Sequence, residues 1–226
     1  MPPPPLFRIL RRYGLALLAG LVLLPAAPAK PADWAAEIAA LTAQDATQSP
    51  PAGAVVFVGS SSIRLWETLA ADFPGLPLVQ RGFGGSELAD SVYYADRIVL
   101  AYHPRLVVLY AGENDIANGA SAESVATAFT AFCAKVHTAQ PGVRILFVSL
   151  KPSPSRVKFL PEFARANTLI AAACARDPRL TFVDVFHPML NAAGAPRPEL
   201  FRADQLHMLH DGYLIWVRLL APLLQP

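Results

Sequence analysis

The feature that most constrains this chain is an alternation. Five short apolar runs, Ala54–Val58, Leu78–Gln80, Leu106–Tyr110, Arg144–Leu150 and Leu180–Val185, are separated by stretches with helical spacing. The runs are continuous rather than alternating, and rich in Val, Leu, Ile and Phe. Strands of a parallel sheet covered on both faces read this way. The intervening segments Ile63–Ala71, Glu87–Ala101, Ala122–Ala139, Glu162–Arg176 and Asp211–Leu223 read as helices. Ser121 with Ser124 suggests a capped start for the third, and Pro141-Gly142 its end. Strands alternating with helices predict an α/β domain with a doubly wound, five-stranded parallel sheet. More than half of the residues are apolar, enough for a substantial core.

The N-terminal stretch reads differently. Arg8, Arg11 and Arg12 precede an apolar run from Tyr13 to Leu24, and small residues then end in Ala27-Pro28-Ala29. That is the layout of a secretory signal peptide over residues 1–29, cleaved near Ala29. A run of about twelve residues is short for a bilayer crossing, which takes roughly 20; a retained anchor is the alternative reading. The expected organisation is thus a signal at 1–29, an N-terminal helix (Asp33–Gln44) and Ser-Pro-Pro linker within 30–53, and the α/β domain over 54–226. Without residues 1–29, the 19 basic residues lose three, leaving 16 against 17 acidic. That balance argues against a nucleic-acid partner. No zinc-like Cys/His spacing is present. Cys133 and Cys174 fall on apolar helical patterns, as two buried thiols or as one disulfide permitted by an oxidising compartment.

In an open α/β sheet, ligands sit beyond the C-terminal strand ends. The first strand runs into Gly59-Ser60-Ser61-Ser62-Ile63, where a sharp strand-to-helix turn can present a serine hydroxyl, although the same letters fit a serine-rich N-cap. With Ile at position 63 it is not the G-x-S-x-G elbow. The second runs into Arg81-Gly82-Phe83-Gly84-Gly85-Ser86, whose glycines can aim backbone N–H groups at a ligand; the dinucleotide spacing fails at Glu87. The third ends in Tyr110-Ala111-Gly112-Glu113-Asn114-Asp115, where the Asn amide can donate into the crevice or make an Asx turn. Near the C-terminus stands Asp204-Gln205-Leu206-His207, followed by Gly212-Tyr213. A carboxylate three residues before a histidine can reach back to its imidazole. Asp184-Val185-Phe186-His187 repeats that spacing, and position alone does not choose between the two pairs. His103, His137 and His210 read as structural or surface residues.

Taken together, the four segments resemble the SGNH, or GDSL-type, hydrolase family, over Gly59 to Tyr213. The resemblance implies a flavodoxin-like sheet of strand order 2-1-3-4-5 and hydrolysis of esters or thioesters without a metal or other cofactor. It implies Ser61 as nucleophile, Asp204 and His207 as the acid–base pair, and the Ser61 and Gly85 N–H groups with the Asn114 amide as oxyanion donors. The last Asp-x-x-His is preferred because the family's pair lies close to the C-terminus before a Gly-Tyr helix. Two positions depart from the pattern: Ser60 where the family usually has Asp, and Gln80 where an Asn often precedes the glycines. Phe57–Trp66 and Ser149–Arg156 look like an exported bacterial branch. The expected partner is a small or polymer-borne ester, with a carbohydrate O-acetyl ester first and a lysophospholipid or acyl-thioester as the alternative. A non-catalytic exported binding protein on a decayed hydrolase fold is the remote one. The basic, proline-rich stretch Lys151–Pro161 is either a wall of the site or a solvated connection.

Overall fold

A computed structural model describes residue 1 and residues 34–47, 49–51 and 53–225 of the chain. The signal-like segment thus lies outside the described residues apart from Met1. Five parallel strands, β1 (Val55–Gly59), β2 (Leu78–Gly82), β3 (Leu106–Tyr110), β4 (Arg144–Val148) and β5 (Leu180–Val183), form one sheet in the order β2-β1-β3-β4-β5. Every neighbouring pair is parallel. The helices are α1 (Ala35–Ala43), α2 (Ser61–Arg64), α3 (Leu69–Asp72), α4 (Leu88–Ile98), α5 (Glu113–Ala117), α6 (Ala122–Ala139), α7 (Leu160–Cys174) and α8 (His210–Leu220).

The sheet divides two cores, which explains the continuous apolar runs. Val56, Val58, Val107, Leu109, Ile145 and Phe147 face α1, α4, α6 and α7. Their neighbours Val55, Phe57, Leu106, Val108, Leu146 and Val148 face α2, α3 and α8. Successive side chains of a strand point to opposite faces, so a strand covered twice must be apolar at every position. Each such side chain, fully buried, contributes about 1.5–3 kcal/mol. On the second face Trp66 stacks on Tyr213 at 4.8 Å and meets Trp216 and Phe57 edge-on at 5.7 and 5.9 Å. This aromatic cluster fixes α8 to the turn after β1.

Element boundaries follow local hydrogen bonding. β4 and β5 stop two residues short of their apolar runs, because Ser149 Oγ accepts the Val185 and Phe186 N–H groups and bends the chain there. The expected helix Ile63–Ala71 is two single turns, α2 and α3, with a break between them. The Gln80 amide donates to the Ile63 and Trp66 carbonyls (2.6 and 3.1 Å). Trp66 Nε1 and Thr68 Oγ1 both donate to Asp72 Oδ2. These side-chain bonds replace the helical ladder. The Ser121 cap on α6 is present, its hydroxyl accepting from Ser124 N–H at 3.2 Å. Cys133 on α6 and Cys174 on α7 are free, buried thiols. Burial pushes them up to about 12 and about 11 respectively.

Candidate active site

The site is built where β1, β2 and β3 end. At the end of β1, Gly59 has φ +138°, and a Cβ there would lie 1.8 Å from the Tyr110 carbonyl oxygen on β3. Only glycine lets the two strands close at this point. Ser60 N–H then donates to that same carbonyl at 2.9 Å, and Ser61 opens α2.

Ser61 Oγ lies within hydrogen-bond distance of His207 Nε2, at 3.0 Å. On the other side of the ring, His207 Nδ1–H donates to Asp204 Oδ2 at 2.6 Å. With Nδ1 protonated toward the carboxylate, Nε2 has the free lone pair that a proton acceptor needs. Asp204 Oδ1 accepts the Leu206 and His207 N–H groups, both at 2.9 Å, which makes the Asp-x-x-His turn self-supporting. Gln205 at its tip has φ +55°, and the Phe201–Met208 bridge closes its base. Burial alone would raise Asp204, but the hydrogen bonds from the His207 ring and from the two N–H groups outweigh it and hold the carboxyl at about 2. It is therefore ionised throughout the neutral range. Tyr213 OH donates to the Ser62 carbonyl at 2.9 Å, tying the Gly-Tyr helix to the serine turn.

The second pair has the same local design. His187 Nδ1 lies 2.6 Å from Asp184 Oδ2, and Asp184 Oδ1 accepts the Phe186 and His187 N–H groups. What differs is its surroundings. The His187 side chain is 78% exposed, whereas that of His207 is 23% exposed. The structure brings His207 to Ser61; it leaves His187 facing solvent.

Gly85, in the loop after β2, is exposed and has φ +78°. The loop is held from several sides. Phe83 N–H donates to the Gly59 carbonyl, Ser86 Oγ to the Phe83 carbonyl, and Gly84 N–H to Glu37 on α1. Trp34, just before α1, lies against Gly85 and Phe83 and donates to Asp90. Asn114 stands on α5, a five-residue helix where the sequence offered a crevice donor or an Asx turn. Its Nδ2 donates to the Ser86 carbonyl at 2.9 Å, joining the third strand end to the glycine loop. Its Oδ1 accepts from Arg156 Nη2 at 2.7 Å.

Three polar residues around this site carried no role in the sequence reading. Lys151 and Glu113 form a wholly buried ion pair at 2.6 Å, and Tyr110 OH also donates to Glu113. Arg156 is the third. The signal for Lys151 and Arg156 was the string Lys151-Pro152-Ser153-Pro154-Ser155-Arg156, with polar residues where a plain connection needs none, and that for Glu113 was its place beside Asn114. Gln80, noted as a departure, braces the α2–α3 break. Of the three remaining histidines, His210 binds Asp72, His137 the Val143 carbonyl, and His103 lies by Gln140.

A model of the GDSL-like lipase/acylhydrolase family matches residues 46–215. The chain belongs to that family. Membership of the GDSL-like acylhydrolases makes it an ester-hydrolysing enzyme. Its fold is that of solved SGNH hydrolases. A provisionally named acylhydrolase from Bacteroides fragilis superposes with a TM-score of 0.73 at 22% identity, covering 85% of this chain and 97% of that one. A GDSL-like lipase from Bacteroides thetaiotaomicron gives 0.71 at 21% identity, over 84% and 97%. A variant of an acetyl-xylooligosaccharide esterase from Geobacillus stearothermophilus gives 0.61 at 14% identity, over 79% and 97%. At such identities the likeness speaks for the fold. No curated protein matches the chain. Among the described residues, no helix is long and apolar enough to cross a membrane.

Proposed function

We propose that this protein is a serine esterase with Ser61 as nucleophile, His207 as general base and Asp204 as the group that orients it. The observation that carries this reading is the hydrogen-bonded chain Ser61 Oγ–His207 Nε2 (3.0 Å) and His207 Nδ1–Asp204 Oδ2 (2.6 Å). A serine hydroxyl is a weak nucleophile until a base takes its proton. As Ser61 Oγ bonds to the ester carbonyl carbon, its proton passes to His207 Nε2. The imidazolium so formed is stabilised by the ionised Asp204. The carbonyl oxygen becomes an oxyanion, held by the Ser61 and Gly85 N–H groups and the Asn114 amide. When the tetrahedral adduct collapses, the bond to the alcohol oxygen breaks and His207 returns the proton to that oxygen. Water then attacks the acyl-serine carbonyl carbon and gives a proton to His207; as that second adduct collapses, the bond to Ser61 Oγ breaks, His207 returns the proton to Oγ, and the acid leaves.

The substrate we favour is an acetyl ester on a carbohydrate. The fold shared with an acetyl-xylooligosaccharide esterase supports it, and so does the signal-like sequence of residues 1–29, which would export the enzyme to where such polymers are found. Residues 54–226 would carry the chemistry. The test is hydrolysis of p-nitrophenyl esters from acetyl to long acyl, with fluorophosphonate labelling alongside. Acetyl preference and labelling lost in S61A are expected. A preference for octanoyl and longer chains would replace the substrate with a lysophospholipid or acyl-thioester. Undiminished turnover in S61A would refute the nucleophile, and a folded parent with neither labelling nor turnover would return the reading to a binding protein.

A further inference from the structure

The segment from Leu150 to Phe159 leaves the sheet at β4 yet touches both halves of the site. Its start is clamped by Asn167, which accepts from Leu150 N–H at 2.8 Å and donates to the Leu150 carbonyl at 3.1 Å. Lys151 then plunges into the core to meet Glu113, the residue before Asn114. Ser155 N–H donates to the Gln205 carbonyl at 3.0 Å, inside the Asp204–His207 turn. Arg156 N–H donates to the Ser153 carbonyl, and its guanidinium reaches Asn114 Oδ1 at 2.7 Å. One strap thus bonds both the loop that carries His207 and the Asn114 amide.

The consequence for Asn114 is specific. A primary amide can sit either way round, because its oxygen and nitrogen are nearly the same size. Here both ends are committed. Oδ1 faces a donor-only guanidinium, and Nδ2 faces the Ser86 carbonyl, which can only accept. A flipped amide would set N–H against N–H and oxygen against oxygen. In the observed orientation one Nδ2 hydrogen is used on Ser86 and the second is left for a ligand. The Arg156 guanidinium also draws electron density from the amide toward Oδ1.

We propose that Arg156 is a positioning residue that locks the Asn114 amide with its second N–H turned toward the developing oxyanion. This rests on the serine-esterase reading above. Arg156 touches no reacting atom; it acts through Asn114, and its loss therefore acts on turnover rather than on substrate affinity.

The test is a double-mutant cycle on the full chain with the parent, R156A, N114A and the R156A/N114A double variant. Two rates are read, fluorophosphonate labelling of Ser61 and p-nitrophenyl acetate turnover, with thermal melting as the check on folding. Losing an oxyanion donor costs roughly 10²–10³ in turnover, and N114A is expected in that range. R156A is expected to lose at least about 10-fold in kcat and no more than N114A, with KM within about twofold, and to cost nothing further once Asn114 is gone, the signature of residues acting as a unit. If R156A melts far below the parent, R156K carries the same cycle, since it keeps the charge without the planar fork. Parental rates in R156A, or an equal fold-loss with and without Asn114, would overturn the inference while labelled Ser61 keeps the esterase reading. A folded parent that is neither labelled nor active would overturn both.

Discussion

His207 Nε2 stands 3.0 Å from Ser61 Oγ, although 146 residues of chain separate them. The contact depends on α8, whose Tyr213 binds the Ser62 carbonyl and stacks on Trp66. It is also what separates two Asp-x-x-His turns that are locally alike. H207A and S61A should each lose roughly 10⁴-fold or more in ester turnover, as removal of a nucleophile or its base does elsewhere. H187A should remain within about twofold of the parent. Loss in H187A with survival of H207A, measured on p-nitrophenyl acetate, would move the acid–base pair to Asp184 and His187.

That ambiguity shows what the sequence could and could not carry. The sheet was legible because β1, β3 and β4 are buried on both faces and apolar almost throughout, while the half-buried edge strands β2 and β5 still carry short apolar runs. The strand order and the site came from four short motifs read together against a family, not from any one of them. Where tertiary bonds override local pattern, the reading failed. The Ile63–Ala71 stretch has helical spacing, yet Gln80, from a different strand, breaks it by bonding the Ile63 and Trp66 carbonyls. Asn114 read as a crevice donor or an Asx turn, and the short helix α5 that carries it had no signal of its own. Arg156 and Glu113 could not be assigned at all, because their meaning lies in partners far along the chain.

α1 precedes the residues matched to the family, but it belongs to the same core. Ile38 is wholly buried with the sheet residues, and Glu37 and Trp34 brace the glycine loop. Ile38→Ala should cost about 2–5 kcal/mol, the range for emptying a filled core position. Urea unfolding would measure it; a change below about 0.5 kcal/mol would mean that α1 is dispensable.

Gly59 gives a sharper backbone test. A methyl group there would lie 1.8 Å from the Tyr110 oxygen, with φ already at +138°. The obstruction is main chain, so it cannot swing aside. Gly59→Ala should lose roughly 4 kcal/mol or more, the tail reserved for severe steric and backbone conflicts, and should yield little soluble protein. A G59A chain with parental melting temperature would mean that β1 and β3 separate more easily than this register allows.

Asp115 predicts a pH dependence of stability. Burial pushes its carboxyl up to about 7, against the pull of the Leu88 N–H and its own N–H, and the Glu87 and Asp90 carboxylates add to the rise. In the unfolded chain the same group titrates near ~3.9. A folded-state value above the unfolded one means that folding favours the protonated form. The associated stabilisation is fully present below about pH 4 and is lost as pH rises through 7, because ionisation then places a charge in a buried site beside the Glu87 and Asp90 carboxylates, which the Leu88 N–H and its own N–H do not offset. Unfolding free energy measured in urea from pH 5 to 8 should therefore carry a falling contribution that Asp115→Asn removes, since the amide stays neutral and can still accept from Leu88. The parent and D115N should diverge in slope over this window, with D115N gaining relative to the parent as pH rises. Parallel curves would mean that the Asp115 carboxyl titrates alike in both states and that water reaches it in the folded protein.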